Sequence, residues 1–251
     1  MKNNLFFNKS IENIYSKPSK ESEVVTQILY GEKFKVLKKK GNWIQIKQNY
    51  DHYIGYIKKA NFRKKFNPEF KVKKLKTNIY EIKNKRFKKT KQSIFFGSQL
   101  SISKKTKKFY EFEPNKWIKK EDLAKLDHVE KNYNKILKLF LNTKYLWGGR
   151  SSNGIDCSAL IQIIFFYNNK FFPRDTKDQV KYCRKKQSKK FHRGDIIFWK
   201  GHVGICIDKT NFLHAYGPRK KVLIMKTLNT IDLIKKTANL TVKKVSNISK
   251  Y

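Results

Sequence analysis

YLWGGRSSNGIDCSAL at residues 145–160, RGDIIFWKGHVGI at 193–205 and FLHA at 212–215 decide how this chain reads. The first block puts Cys157 at the head of CSALIQIIFFYNN, a run that is apolar nearly all round and so predicts a buried helix. Asp156 stands where a helix N-cap stands, and Gly154 permits a sharp turn into it. The second block opens a strand with His202, and the third places His214 in the next strand. A thiol at a helix start with two spaced histidines is the layout of a thiol hydrolase.

The chemistry follows from the residue types. A thiol is mostly protonated at neutral pH and needs a lowered pKa or a base before it attacks. A helix N-terminus favours a thiolate by about 0.3–1 kcal/mol through its dipole, and its unpaired N–H groups can hold the oxyanion of an attacked carbonyl. His202 then serves as general base and later acid, and His214 orients its ring. Both histidines must share one face of their hairpin. Side chains alternate, so Gly204 is expected opposite His214, with an odd-length turn around Asp208, Lys209 and Thr210. A pairing of Ile205 with His214 would send the histidines to opposite faces. Cys206 would share a face with His202. Cys183 and Cys206 read as small buried hydrophobes, and His52, His128 and His192 as surface or loop residues.

Working outward, Asp127 and Glu130 give a capping-box-like start to a helix through Val129, Tyr133, Ile136, Leu137 and Phe140. Strands follow at 195–199, 202–207, 211–216 and 222–228, and residues 231–246 predict a short helix and an edge strand. Ahead of this lie residues 12–62, a series of short β-branched and aromatic runs separated by turn residues, which predicts a small β-barrel filled by Trp43 and Tyr56. Residues 68–124 repeat the order with Phe109 and Trp117 in the corresponding places. For all four aromatics the competing role is a ligand shelf. The fold class is α+β: two small barrels over 1–63 and 64–125, then helices packed on an antiparallel sheet over 126–251.

Composition bounds the rest. With 39% hydrophobic and 14% aromatic residues the chain is globular and not disordered. Three cysteines without metal-ligand spacing argue for reduced thiols, and no metal or other cofactor is called for. No apolar run reaches the roughly 18 residues of a membrane span. The N-terminal residues lack a signal h-region, which predicts a cytoplasmic protein, with a periplasmic or wall-associated one as the alternative. The formal charge of +40 would draw the chain to polyanions such as nucleic acid, anionic membranes or cell-wall polymer. Its lysines are spread along the whole sequence, and Lys, Asn, Ile and Phe are over-used together, so AT-rich coding explains much of it. No helix-turn-helix, zinc or RNP-type motif accompanies the charge, so a specific nucleic-acid partner is not expected. Oligomeric state is not legible.

The blocks YLWGG, DCSAL, FPRDTKDQ (172–179), RGDIIFWKGHVGI and LHA stand in the order of the NlpC/P60 family of cell-wall cysteine peptidases, which 127–251 resembles through almost its whole length. Residues 12–62, with GNW and GYI, resemble the bacterial SH3 module. The pair of modules suggests the subgroup resembling dipeptidyl-peptidase VI, which cuts the bond between γ-D-glutamate and a diamino acid, diaminopimelate or Lys, in murein peptides with a free N-terminal L-Ala. The resemblance implies a papain-like domain with Cys157 as nucleophile, His202 as base and His214 as third catalytic residue. It further implies that Tyr145, Asp156 and Ser158 line the subsite for L-Ala and D-Glu, Asp156 meeting the free ammonium. Tyr53 from the first module, with Asp51, Glu23 or Glu32 as acidic partner, would close the groove. DCSA departs from the commoner DCSG at Ala159. The rival expectations are an enzyme cutting stem peptides of the intact wall, and a non-catalytic wall-binding protein.

Overall fold

The computed structural model describes residues 4–188 and 190–251. The chain divides into two compact units, Met1–His128 and Val129–Tyr251.

The first unit is all strand apart from one 3-10 turn. Its leading half is a six-stranded sheet in the order Asn4–Phe6, Lys33–Lys40, Trp43–Gln48, Ile54–Lys58, Ile11–Tyr15, Val24–Leu29. Its core is Phe7, Ile14, Ile28, Phe34, Ile44, Ile46 and Ile57. Trp43 and Tyr56 are not in it, contrary to the sequence expectation. The two-residue period sends their neighbours Ile44 and Ile57 inward and leaves both rings half-buried on the outer face, where Trp43 meets Tyr15 edge-on at 5.5 Å. The second half forms a three-stranded and a five-stranded sheet. Tyr110, Phe112 and Ile118 fill its core, while Phe109 and Trp117 turn the other way and pack on Phe87. One first-half residue, Tyr30, belongs to the second core, and its hydroxyl donates to Glu113 Oε1 at 2.9 Å. The adjoining Gly31 has φ +83°, and a Cβ there would stand 2.3 Å from the Gln99 carbonyl oxygen, so only glycine allows the two halves to approach this closely.

The second unit runs through helices α1 (Tyr133–Leu139), α2 (Cys157–Tyr167) and α3 (Thr176–Tyr182) into an antiparallel sheet. The sheet order is Lys221–Lys226, Asn211–Tyr216, His202–Cys206, Asp195–Trp199, Lys244–Asn247, so the last strand is the edge strand the sequence predicted. Helix α4 (Thr227–Ala238) sets Ile234 against Trp199, Cys206, Phe212 and Tyr216 on one face. All eleven residues of α2 are buried, as its unbroken apolar run required. Helix α1 starts later than the capping pattern predicted. Glu130 does not cap it: the carboxylate accepts the Asn132 N–H at 2.9 Å, and its own N–H donates to Asn168 at the far end of α2. These bonds hold 130–132 as an entry loop.

Candidate active site

Helix α2 begins where it does because Asp156 caps it. The carboxylate accepts the Ala159 N–H at 2.8 Å and the Gly148 N–H at 3.0 Å. Gly148 is the first glycine of the WGG run and has φ +73°. The loop before the helix is thereby fastened to the cap. A Cβ at Gly154 would meet Leu146 Cβ at 2.3 Å, so the turn into Asp156 tolerates no side chain.

Asp156 is held further by Arg174, which donates to both carboxylate oxygens at 3.0 and 2.6 Å and to Ser158 Oγ at 2.8 Å. Ser158 donates to Asp156 in turn at 3.1 Å. All three side chains are buried. The resemblance implies that Asp156 meets a substrate ammonium; in the structure its carboxylate pairs with Arg174 and accepts hydrogen bonds on both oxygens. A fork of donors on a carboxylate is the strong form of this pair, and breaking it from one side strands a buried charge.

Cys157, the first residue of α2, is 4% exposed. Its thiol donates to the Gly201 carbonyl at 4.0 Å, while the Val203 N–H and the Thr176 hydroxyl donate to the sulfur. The thiol therefore rests against the backbone on either side of His202. Burial pushes it up to about 11, with the Asp156 charge adding to the rise against the opposing pull of those two donors and Arg174. The N-terminal lowering expected from sequence is outweighed by desolvation.

The histidine hairpin has the predicted register. Ile205 pairs with Leu213 and Cys206 with Phe212 across the loop Asp208, Lys209, Thr210, which places Gly204 opposite His214. A Cβ at Gly204 would stand 2.8 Å from His214 Cβ and 2.3 Å from the Phe212 ring, so the diagonal approach of the histidines depends on this glycine. His202 Nε2 lies 3.0 Å from His214 Nδ1. His214 is fully buried and stacks on Tyr216 with ring centroids 4.7 Å apart. Burial pushes His202 down to about 4 and His214 to about 3, the nearby His202 lowering His214 further. The resting site thus holds a neutral thiol and neutral imidazoles.

Tyr145 and His202 line one pocket. The Tyr145 phenol is pushed up by burial and by the neighbouring Cys157 and Asp156. Tyr53 lies in the first unit, half-buried, with its N–H donating to Asp51 Oδ1 at 3.1 Å. Of its suggested partners, Glu32 is buried and accepts the Leu29 N–H at 2.6 Å. Cys183 and Cys206 are buried free thiols, raised by burial to about 11 and about 12. His52, His128 and His192 are exposed.

Three functional neighbours escaped the sequence reading. Arg174, Thr176 and Gln179 all lie in FPRDTKDQ, and Gln179 ties α3 to α2 by donating to the Ser158 carbonyl at 3.0 Å. Their signal was three polar residues in a stretch that must pack against an apolar helix.

Comparison with known proteins agrees with this geometry. Residues 142–239 match the NlpC/P60 family, and residues 14–62 match the bacterial dipeptidyl-peptidase Sh3 domain. A γ-D-glutamyl-L-lysine dipeptidyl-peptidase of Bacillus subtilis (strain 168) is 25% identical over 236 residues, covering 84% of this chain and 78% of the relative. Its namesake from Bacillus cereus (strain ATCC 10987 / NRS 248) is 26% identical over 249 residues, 86% of this chain and 74% of the relative. The crystal structure of an NlpC/P60 family protein from Bacillus cereus ATCC 10987 superposes with a TM-score of 0.81 at 19% identity, over 97% of this chain and 99% of that one, a likeness of fold.

Proposed function

This chain carries an NlpC/P60 cysteine-peptidase domain and, ahead of it, a bacterial dipeptidyl-peptidase Sh3 domain, and on that premise we propose that it releases L-Ala-γ-D-Glu from murein peptides with a free N-terminus. The bond cut is the amide between γ-D-glutamate and the following diamino acid. The observation that carries this reading is the seating of the Cys157 thiol on the backbone around His202, whose Nε2 is committed to His214. The names of the two relatives support the bond and the dipeptide product.

The His–His bond sets which nitrogen does the work. If His202 Nε2–H donates to His214 Nδ1, the His202 Nδ1 lone pair is left for the thiol. The opposite tautomer would protonate that nitrogen and leave no base. In the productive form Nδ1 takes the Cys157 proton as sulfur bonds to the carbonyl carbon. The carbonyl electron pair moves onto oxygen, where N–H groups at the start of α2 hold it. On collapse the C–N bond breaks and His202 returns its proton to the departing amine. Water then attacks the thioester, giving a proton to His202, the C–S bond breaks, and the sulfur is reprotonated. Burial keeps the ion pair from forming at rest, so charge separation coincides with attack. Among the described residues the thiol makes no hydrogen bond to the imidazole, a looseness common before substrate binds.

In this scheme Asp156 and Ser158 lock the helix start through Arg174, and the Asp156 carboxylate meets the free ammonium of the substrate's L-Ala. Residues 64–125 are read as a second, divergent SH3-like barrel, on the shared alternation of Tyr110, Phe112 and Ile118 with Ile44, Ile46 and Ile57. The formal charge of +40 supports one rival, cleavage of stem peptides in the polyanionic wall itself. An assay with L-Ala-γ-D-Glu-diaminopimelate and its N-acetylated form separates them. Release of L-Ala-γ-D-Glu from the free peptide alone is the expected result, and equal cleavage of the blocked peptide would overturn the free-amine requirement.

A further inference from the structure

We infer that a groove on the second half of the first unit binds the phosphates of a flexible phosphodiester chain that carries no bases, a polyol-phosphate polymer. The groove has a volume of about 690 Å³ and is lined by Lys73, Lys107, Lys108, Lys119 and Lys120, with Glu121 as the acidic residue among them. These lysines come from three stretches of chain that backbone bonds hold together. The Lys73 N–H donates to the Asp122 carbonyl and the Lys120 N–H to the Lys108 carbonyl, both at 2.9 Å. The Thr106 hydroxyl closes the turn that carries Lys107 and Lys108 by donating to the Phe109 carbonyl at 2.9 Å. Glu121 pairs with Lys119 at 3.3 Å. The ammonium groups of Lys73, Lys107, Lys108 and Lys120 have no ion-pair or hydrogen-bond partner among the described residues, and all four side chains are exposed. Composition explains how many lysines the chain has, and not the convergence of four unpaired ones on a single concavity. Gathered there they repel one another, and the groove walls focus their field on an entering anion. Which anion fits follows from what else lines the groove. The Phe109 ring is stacked on Phe87 with centroids 4.1 Å apart and meets Tyr80 edge-on at 5.0 Å, which leaves little ring for a nucleic-acid base to stack on. Leu123 is buried, so it cannot enter a bilayer as an apolar wedge. Lysines are compact point charges on flexible stems, suited to phosphate oxygens whose direction varies along a flexible chain.

The test measures binding of a purified poly(glycerol phosphate) chain to the full protein by titration calorimetry at several salt concentrations. Two variants are compared with the unaltered chain: Lys73→Gln/Lys107→Gln/Lys108→Gln/Lys120→Gln in the groove, and Lys39→Gln/Lys40→Gln/Lys235→Gln/Lys236→Gln, which removes the same charge from exposed positions elsewhere. The groove variant should bind roughly tenfold or more weakly, and its slope of log affinity against log salt should be shallower by about 3, since each phosphate neutralised on a single strand contributes about 0.7. The control should stay within about twofold of the unaltered chain. Equal losses in the two variants would show attraction by net charge alone and overturn the site, as would no measurable binding of the polymer at low salt. An oligothymidylate with the same number of phosphates, and phosphatidylglycerol vesicles, should both bind more weakly than the polymer. Tighter binding of the oligothymidylate through these lysines would assign the groove to single-stranded nucleic acid, and of the vesicles to a membrane surface, and either result overturns the inference. Peptide cleavage does not enter the readout, so the proposed reaction stands or falls separately.

Discussion

At the scale of single residues, the site is governed by what burial does to protonation. His202 is held near 4 by desolvation, so it remains a competent neutral base far below the pH at which an exposed histidine charges. The acid limb of kcat/KM should therefore fall between pH 4 and 5, not near 6.5, in a pH profile on the free peptide. A limb at 6.5 would show that His202 is solvated in the working enzyme. His214 works through His202, so His214→Phe should cost about 100-fold or more in kcat with little change in KM. His214→Gln, which can still accept from Nε2–H, should recover part of that loss. A plain packing role would instead make both variants lose stability without a kcat-specific effect. The placement of Cys157 at a helix start and of His202 and His214 in one hairpin register was legible in the sequence, because helix start and strand alternation are local rules. The buried fork of Arg174 on Asp156 was not: it joins residues 18 apart, and nothing local says which of 59 basic residues turns inward.

At the scale of elements, two features of the second unit hold the proposed catalytic groups in place. Arg174→Met would leave the Asp156 carboxylate buried with no counter-charge. It should lower stability by about 3 kcal/mol in urea unfolding, and Asp156→Asn with Arg174→Met should recover part of it. Gly204→Ala would push a methyl into Phe212 and His214, costing about 1–3 kcal/mol and lowering kcat as the hairpin shifts. The hairpin register was legible because a one-residue slip would have flipped every buried side chain. Which face of the small barrel points inward was not. An alternation such as Trp43, Ile44, Gln45, Ile46 fixes the period of two, while the large aromatic and the smaller isoleucine compete for the core. The isoleucines won, and Trp43 and Tyr56 stayed on the outer face. The start of α1 was not legible, because a carboxylate three residues after Asp127 looks the same whether it caps a helix or braces a loop.

At the scale of the whole molecule, charge and buried histidines set the response to solution conditions. Unfolding frees His202 and His214 to take up protons below about pH 6.5, the exposed value. Their contribution to stability is complete above that pH and is lost as pH falls toward 4, roughly 3 kcal/mol for His202 alone. Thermal unfolding across this range should show Tm falling on acidification, and a flat Tm from pH 7 to 4 would contradict it. The formal charge of +40 makes the folded state self-repelling, so moderate salt should raise Tm. Among the described residues no helix is long and apolar enough to cross a membrane.

A covalent route through Cys157 leaves an acyl group that acid-quenched turnover can trap. Protein stopped during steady-state cleavage of L-Ala-γ-D-Glu-diaminopimelate and digested for mass spectrometry should carry the dipeptide acyl group on Cys157, and Cys157→Ala should show neither adduct nor product. An adduct on Cys183 or Cys206 instead, or undiminished cleavage by Cys157→Ala, would contradict the account.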